Sequence, residues 1–159
     1  LAKGFGMTIR AYDPYLFSQG WPDATVRPFD DLKEALNWAD AISIHMPRAD
    51  RPIIGADEFA VMKASSILVN TSRGGIVEEQ ALFDALITGR LFAAGIDVFD
   101  EEPPATDCPL FSLDNVVLSP HIAGLTCEGA ERLAVHSVQN VIDFFAGCLD
   151  PDLIVNGVR

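Results

Sequence analysis

The chain has 159 residues, 49% of them hydrophobic, enough to build a core. Its net charge of −12, from 23 acidic and 11 basic residues, repels phosphate backbones and anionic lipid, so neither nucleic acid nor a membrane is an expected partner. No apolar run reaches the length of a membrane span, no segment reads as a secretory signal, and the three scattered cysteines, Cys108, Cys127 and Cys148, fit reduced thiols in a cytoplasmic protein.

The predicted elements alternate along the chain. "MTIRAYD" (7–13) is a short strand ending in a carboxylate. "DDLKEALNWAD" (30–40) sets Leu32, Leu36 and Ala39 at helical spacing, with Asp31 and Glu34 suited to capping its first turn. "AISIHMP" (41–47) is an apolar strand stopped by Pro47. "ADEFAVMK" (56–63) reads as a helix and "SSILVNTS" (65–72) as a buried strand. "VEEQALFDALITGR" (77–90) is an amphipathic helix with Ala81, Leu82, Ala85 and Leu86 on one face. "FAAGIDVFD" (92–100) and "NVVLSP" (115–120) are two further strands, joined by the proline-rich loop "EEPPATDCP" (101–109). "CEGAERLAVHSVQNVIDFFAGCL" (127–149) is a long closing helix with Gly147 near its end.

Strands that are apolar nearly throughout, separated by helices, predict a parallel sheet covered on both faces: a doubly wound, Rossmann-like α/β domain. Such a domain normally opens with a strand, a glycine-rich turn and a helix. Here "LAKGFG" (1–6) reads as the end of that helix, and no GxGxxG occurs. The expectation is a sheet lacking its first strand and glycine-rich loop, in a piece of a longer chain. Residues 1–149 form the partial dinucleotide-binding domain, and 150–159 begin a C-terminal tail.

Chemistry in this architecture collects where strands stop. Asp13, in "AYDP", suits either the hydroxyls of an adenosine ribose or a turn before Pro14. Arg73, in "NTSRGG", stands at a strand mouth where a guanidinium can bind a carboxylate bidentately; an ordinary surface arginine is the plainer alternative. Gly74 and Gly75 permit close backbone approach and an unusual turn. Asp97, inside an apolar run, needs a partner to be buried. Glu102 precedes two prolines that stiffen its loop, while Asp100 and Glu101 read as solvated. His121 follows "VVLSP" and suits proton transfer, with a carboxylate such as Glu102 orienting it; a satisfied loop histidine is the alternative. His45 is read as a packing residue and His136 as structural. No HExxH, CxxC or carboxylate cluster predicts a metal, and no GxSxG predicts a serine hydrolase. Arginine, glutamate and histidine on one sheet edge suit polarising a 2-oxo acid and protonating its carbonyl oxygen, as hydride transfer requires.

The blocks "FGMTIRAYDP", "ISIHMP", "FAVMK", "ILVNTSRGGIVEEQAL", "AAGIDVFDEEPP", "NVVLSPHIAGLT" and the closing "VN" resemble, in order, those of the D-isomer-specific 2-hydroxyacid dehydrogenases. The resemblance implies an NAD-dependent oxidoreductase acting on a small 2-hydroxy or 2-oxo acid. It implies that Arg73 binds the substrate carboxylate, that His121 is the general acid and base, and that Glu102 keeps His121 protonated for reduction. It places Asp97 at the nicotinamide end and Asp13 on the adenosine ribose, favouring NAD over NADP. Met46, Pro47, Thr71, Ser72, Arg73 and the backbone from His121 to Gly124 would line the dinucleotide cleft. A homodimer through the cofactor domain is implied, with "GRLFAAG" (89–95) and the loop at 101–114 as contact points. The family's substrate domain has no counterpart here, so these residues alone are expected to turn over little. The NAD(H)-sensing corepressors of the same fold are the alternative, and formate dehydrogenase fits less well because it pairs its histidine with glutamine.

Overall fold

The computed structural model describes residues 1–155; Asn156 to Arg159, with the last residue of the "VN" match and the end of the expected tail, lie outside the described residues. Two compact units divide the chain, Leu1–His121 and the stretch from Ile122 onward.

The first unit opens with a 3-10 turn, Ala2–Phe5, followed by β1 (Arg10–Tyr12). Asp13 ends β1 and caps α1 (Pro14–Gln19), its carboxylate accepting from Leu16 N at 2.9 Å with Pro14 as the first helical residue. Then come β2 (Arg27–Phe29) and α2 (Leu32–Trp38), which starts on Asp31 as expected: the Asp31 carboxylate accepts from Glu34 N at 2.8 Å. β3 (Ala41–Ile44), α3 (Ala56–Val61), β4 (Ile67–Asn70), α4 (Glu79–Ile87), β5 (Ala93–Ile96) and β6 (Val116–Leu118) complete the alternation.

Neither α1 nor β2 is predicted from the sequence. A six-residue helix has too few turns to show a period, and a three-residue strand containing Pro28 carries almost no strand signal.

All strand pairings are parallel. β1 pairs with β2, and β3, β4, β5 and β6 lie side by side in that order. Among the described residues β1 and β3 each pair on one side only. Helix α2 packs against β1, β2 and α3. The guanidinium of Arg10 lies 3.3 Å from the centre of the Phe29 ring and donates to Pro28 O at 3.0 Å, which ties β1 to β2.

The four-stranded sheet and its helices enclose the core. Leu68, Ile76 and Leu91 have no exposed surface, and all four α4 residues expected on one face are buried. Arg90, just past α4, donates to Phe59 O at 3.0 Å and to the carbonyls of Ala60 and Met62, so one guanidinium satisfies the carboxyl end of α3.

In the second unit α5 (Cys127–Ala146) begins on Thr126, whose hydroxyl accepts from Gly129 N at 3.0 Å, and ends on Gly147 at φ +70°. No residue of α5 is buried. Among the described residues no helix is long and apolar enough to cross a membrane.

Candidate functional site at the carboxyl ends of the strands

The register of the sheet decides what meets what. Ile44 pairs with Asn70, Asn70 with Ile96, and Ile96 with Leu118, so four strands end in one row. The chain leaves that row at His45, Thr71, Asp97 and Ser119, and each departing loop starts from the same edge.

After β4 the buried Asn70 organises the turn. Its carbonyl oxygen accepts from Ser72 N at 3.1 Å and from Ser72 Oγ at 2.9 Å, while its amide donates to Arg73 O at 3.0 Å. Gly74 then passes so close to the next strand's loop that an added Cβ would stand 1.8 Å from Phe99 O. Gly75 adopts φ +76°, the left-handed region that favours glycine, and its N–H donates to Asp100 Oδ1 at 2.6 Å. The two glycines therefore have separate reasons, and together they hold Arg73 at the sheet edge. Arg73 is exposed, and among the described residues its one side-chain hydrogen bond goes to Ser72 O.

After β5 the chain stays buried through Phe99, and Phe99 N donates to Glu102 Oε1 at 3.1 Å. Asp97 is 2% exposed and accepts from Ser119 Oγ at 2.6 Å, while Asp97 O accepts from His121 N at 2.8 Å. His121 has φ +57°, unusual for a residue with a side chain. Its Nδ1 lies 2.8 Å from Glu102 Oε2. An ionised carboxylate only accepts, so Nδ1 carries the shared hydrogen and Nε2 remains for a ligand. This contact, followed by the Phe99 N–H, holds the Glu102 carboxyl below its ordinary range. Glu79 shifts the other way, raised chiefly by burial, although Asp100 N donates to it at 2.8 Å.

Arg48, Arg73, Glu102 and His121, with Gly74, Phe99 and Asp100, line a cleft of about 140 Å³. That is below the roughly 300 Å³ at which drug-sized pockets begin, so it suits a small metabolite. Asp97 is buried against Ser119 and does not line the cleft. Met46 packs partly buried against the core, Pro47 and Thr71 are exposed, and Ser72 is held by Asn70. Asp13 stands on the other sheet, at the end of β1, and Gly124 belongs to the second unit. His45 is exposed and bonds Ser43 Oγ at 2.8 Å, so it is not the packing residue its apolar neighbours suggest. Asp100 is exposed, as expected, yet it fixes Gly75. Arg48, Asn70 and Ser119 are absent from the sequence-derived set. Arg48 follows "HMP", where nothing local sets it apart; Ser119 acts through a contact that the register creates, whereas the Asn70 side chain bonds only within its own turn, a local asparagine signal that the reading passed over. Among the described residues no group of three His, Cys, Asp or Glu is placed to hold a metal.

A parallel α/β domain with this polar edge falls in the class of Rossmann-like NAD-binding domains. The chain belongs to the family described as "D-isomer specific 2-hydroxyacid dehydrogenase, NAD binding domain", whose model matches residues 1–123. It is similar to a D-3-phosphoglycerate dehydrogenase of Methanocaldococcus jannaschii, with 44% identity over 135 residues covering 84% of this chain and 25% of the relative. A glyoxylate reductase of Korarchaeum cryptofilum is 39% identical over 155 residues, 96% of this chain and 46% of that protein. Among solved structures, D-2-hydroxyisocaproate dehydrogenase superposes with a TM-score of 0.82 at 29% identity, covering 94% of this chain and 49% of that one. The chain thus spans half or less of the length of these relatives.

Proposed function

We propose that the complete gene product is an NAD-dependent oxidoreductase interconverting a D-2-hydroxy acid and the corresponding 2-oxo acid. One observation carries the reading: His121, paired through Nδ1 with Glu102 at 2.8 Å, shares a small cleft with a guanidinium that has a single hydrogen bond of its own.

In this reading Arg73 binds the substrate carboxylate, and its fork geometry orients the neighbouring carbonyl. His121 Nε2 faces the substrate oxygen, giving it a proton in reduction and taking one in oxidation. Glu102 accepts from Nδ1 and fixes the ring so that Nε2 is the exchanging atom. Its depressed titration keeps it an acceptor through the whole neutral range. Bound NAD(H) would supply or receive the hydride. Asp13 suits its ribose end, because the cap to Leu16 occupies Oδ1 and leaves Oδ2 without a protein partner among the described residues. A fixed carboxylate there also disfavours a 2′-phosphate, hence NAD over NADP. Met46, Pro47, Thr71, Ser72, Asp97 and the backbone from His121 to Gly124 would line the remainder.

The relatives' names cover a glyoxylate reductase and a phosphoglycerate dehydrogenase, so the oxo acid is the open variable. NADH oxidation by the complete gene product with glyoxylate, pyruvate, hydroxypyruvate and phosphohydroxypyruvate tests the reading. Turnover is expected on at least one of them, and His121→Asn should lower it by about 10²–10⁴, the usual worth of a positioned proton donor. NADH binding without turnover would favour a cofactor-sensing scaffold instead.

A further inference from the structure

Arg48 has no part in the reading so far, yet it lines the same cleft as Arg73. It enters from the loop after β3, and its guanidinium lies beside the turn that presents Arg73. A Cβ on Gly75 would sit 3.7 Å from Arg48 Nε and 3.8 Å from Nη2.

The other charges in the cleft already have partners. Asp100 Oδ1 accepts from Gly75 N at 2.6 Å, and Glu102 takes the Phe99 N–H and the His121 ring. Neither arginine forms a salt bridge among the described residues, and Arg48 makes no hydrogen bond there. Two guanidiniums with unused donors therefore face one small cleft in a chain with only 11 basic residues against 23 acidic ones. One guanidinium is enough for the carboxylate that every 2-oxo acid carries. The second is left over, and its planar fork matches a carboxylate, phosphate or sulfonate. Arg48 is exposed, and among the described residues no hydrogen bond or salt bridge explains its place.

We propose that Arg48 is a specificity-determining residue that pairs with a second anionic group on the substrate, so that the site prefers dianionic 2-hydroxy and 2-oxo acids to monoanionic ones. The proposal rests on the dehydrogenase reading. Arg73 holds the carboxylate beside the reacting carbon, and Arg48 holds the far anion.

Steady-state kinetics of the complete gene product test it, with glyoxylate and pyruvate as monoanions and oxaloacetate and phosphohydroxypyruvate as substrates bearing a second anion. Wild-type kcat/KM should favour one of the latter pair. In Arg48→Leu the dianion-to-monoanion ratio of kcat/KM should fall by about tenfold or more, as expected for a lost charge-assisted hydrogen bond. The fall should appear in the KM of the dianion rather than in kcat, and Arg48→Lys should restore part of it. Arg48 is exposed, so the thermal midpoint of the variant should stay at the wild-type value and serves as a folding check. A ratio unchanged by the substitution, or a wild-type preference for the monoanions, overturns the proposal. A raised KM for NADH with the substrate ratio intact also overturns it, and assigns Arg48 to the cofactor's pyrophosphate. Absence of turnover on every acid overturns the dehydrogenase reading itself, and this inference with it.

Discussion

Gly74 and His121 show how the site is held residue by residue. At Gly74 the cause is space, since a side chain would occupy the position of Phe99 O. Gly74→Ala must push the loop after β5 away from the loop after β4, and a loss of about 2–4 kcal/mol by chemical denaturation is expected, in the upper range for single substitutions. The same displacement would separate Arg73 from Glu102. At His121 the cause is backbone shape. A left-handed conformation costs a residue with a Cβ about 1–2 kcal/mol, and the bond from His121 N to Asp97 O together with the Glu102 contact holds it there. Strain retained at a candidate proton donor is what a site under functional constraint leads one to expect. Asn tolerates that conformation better than Ala, which is why His121→Asn is the cleaner control. The turn at "RGG" was open to sequence reading because the motif is local, and the contact between Glu102 and His121 because both residues follow strands that end at one edge. Ser119 and Arg48 were not, because their meaning lies in neighbours supplied by the loops of other strands, while Asn70, whose side-chain bonds stay in its own turn, carried a local signal that was missed.

At the scale of elements, one residue outside the site ties two helices together. Arg90 joins the end of α4 to the last carbonyls of α3, three acceptors for one guanidinium. Those carbonyls are at the negative end of a helix, where only Phe59 O also accepts a backbone N–H, from Met62 at 3.2 Å, so the contact supplies hydrogen bonds and charge complementarity together. Arg90→Ala should lower stability by about 1–3 kcal/mol, and Arg90→Lys should recover only a minor part because an ammonium cannot span the three carbonyls. An urea melt with Arg90→Ala within error of wild type would remove this account of how α3 is anchored. The apolar strands β3 to β6 and the amphipathic helices α2, α4 and α5 were legible from composition, period and capping residues. Short α1 and β2 were not, because tertiary packing and a proline-led cap form them rather than any periodic pattern. The one row of strand ends was legible as an architectural rule, whereas the register that aligns Ile44, Asn70, Ile96 and Leu118 had to be seen.

For the molecule as a whole, net charge and site pull in opposite directions. A chain at −12 repels the anionic acid that the proposed function assigns to the cleft, so in that reading recognition is local, through the guanidiniums that line it. Family membership is secure over residues 1–123, and the chain matches half or less of its relatives' lengths, so function is a question for the complete gene product. The central claim is that Glu102 and His121 act as one proton-handling pair. Glu102 titrates below its ordinary value, so its contribution is full above the usual carboxylate range and is lost only as pH falls through the lowered value. Across neutral pH the carboxylate is therefore charged and accepts from Nδ1, which leaves Nε2 as the atom that exchanges a proton. Steady-state reduction of the best oxo acid, wild type beside Glu102→Gln, tests this most directly. A neutral amide weakens the charge-assisted bond that fixes the ring, so kcat/KM at neutral pH should fall by about tenfold or more while the KM for NADH holds. A Glu102→Gln enzyme as fast as wild type would contradict the pairing on which the account depends.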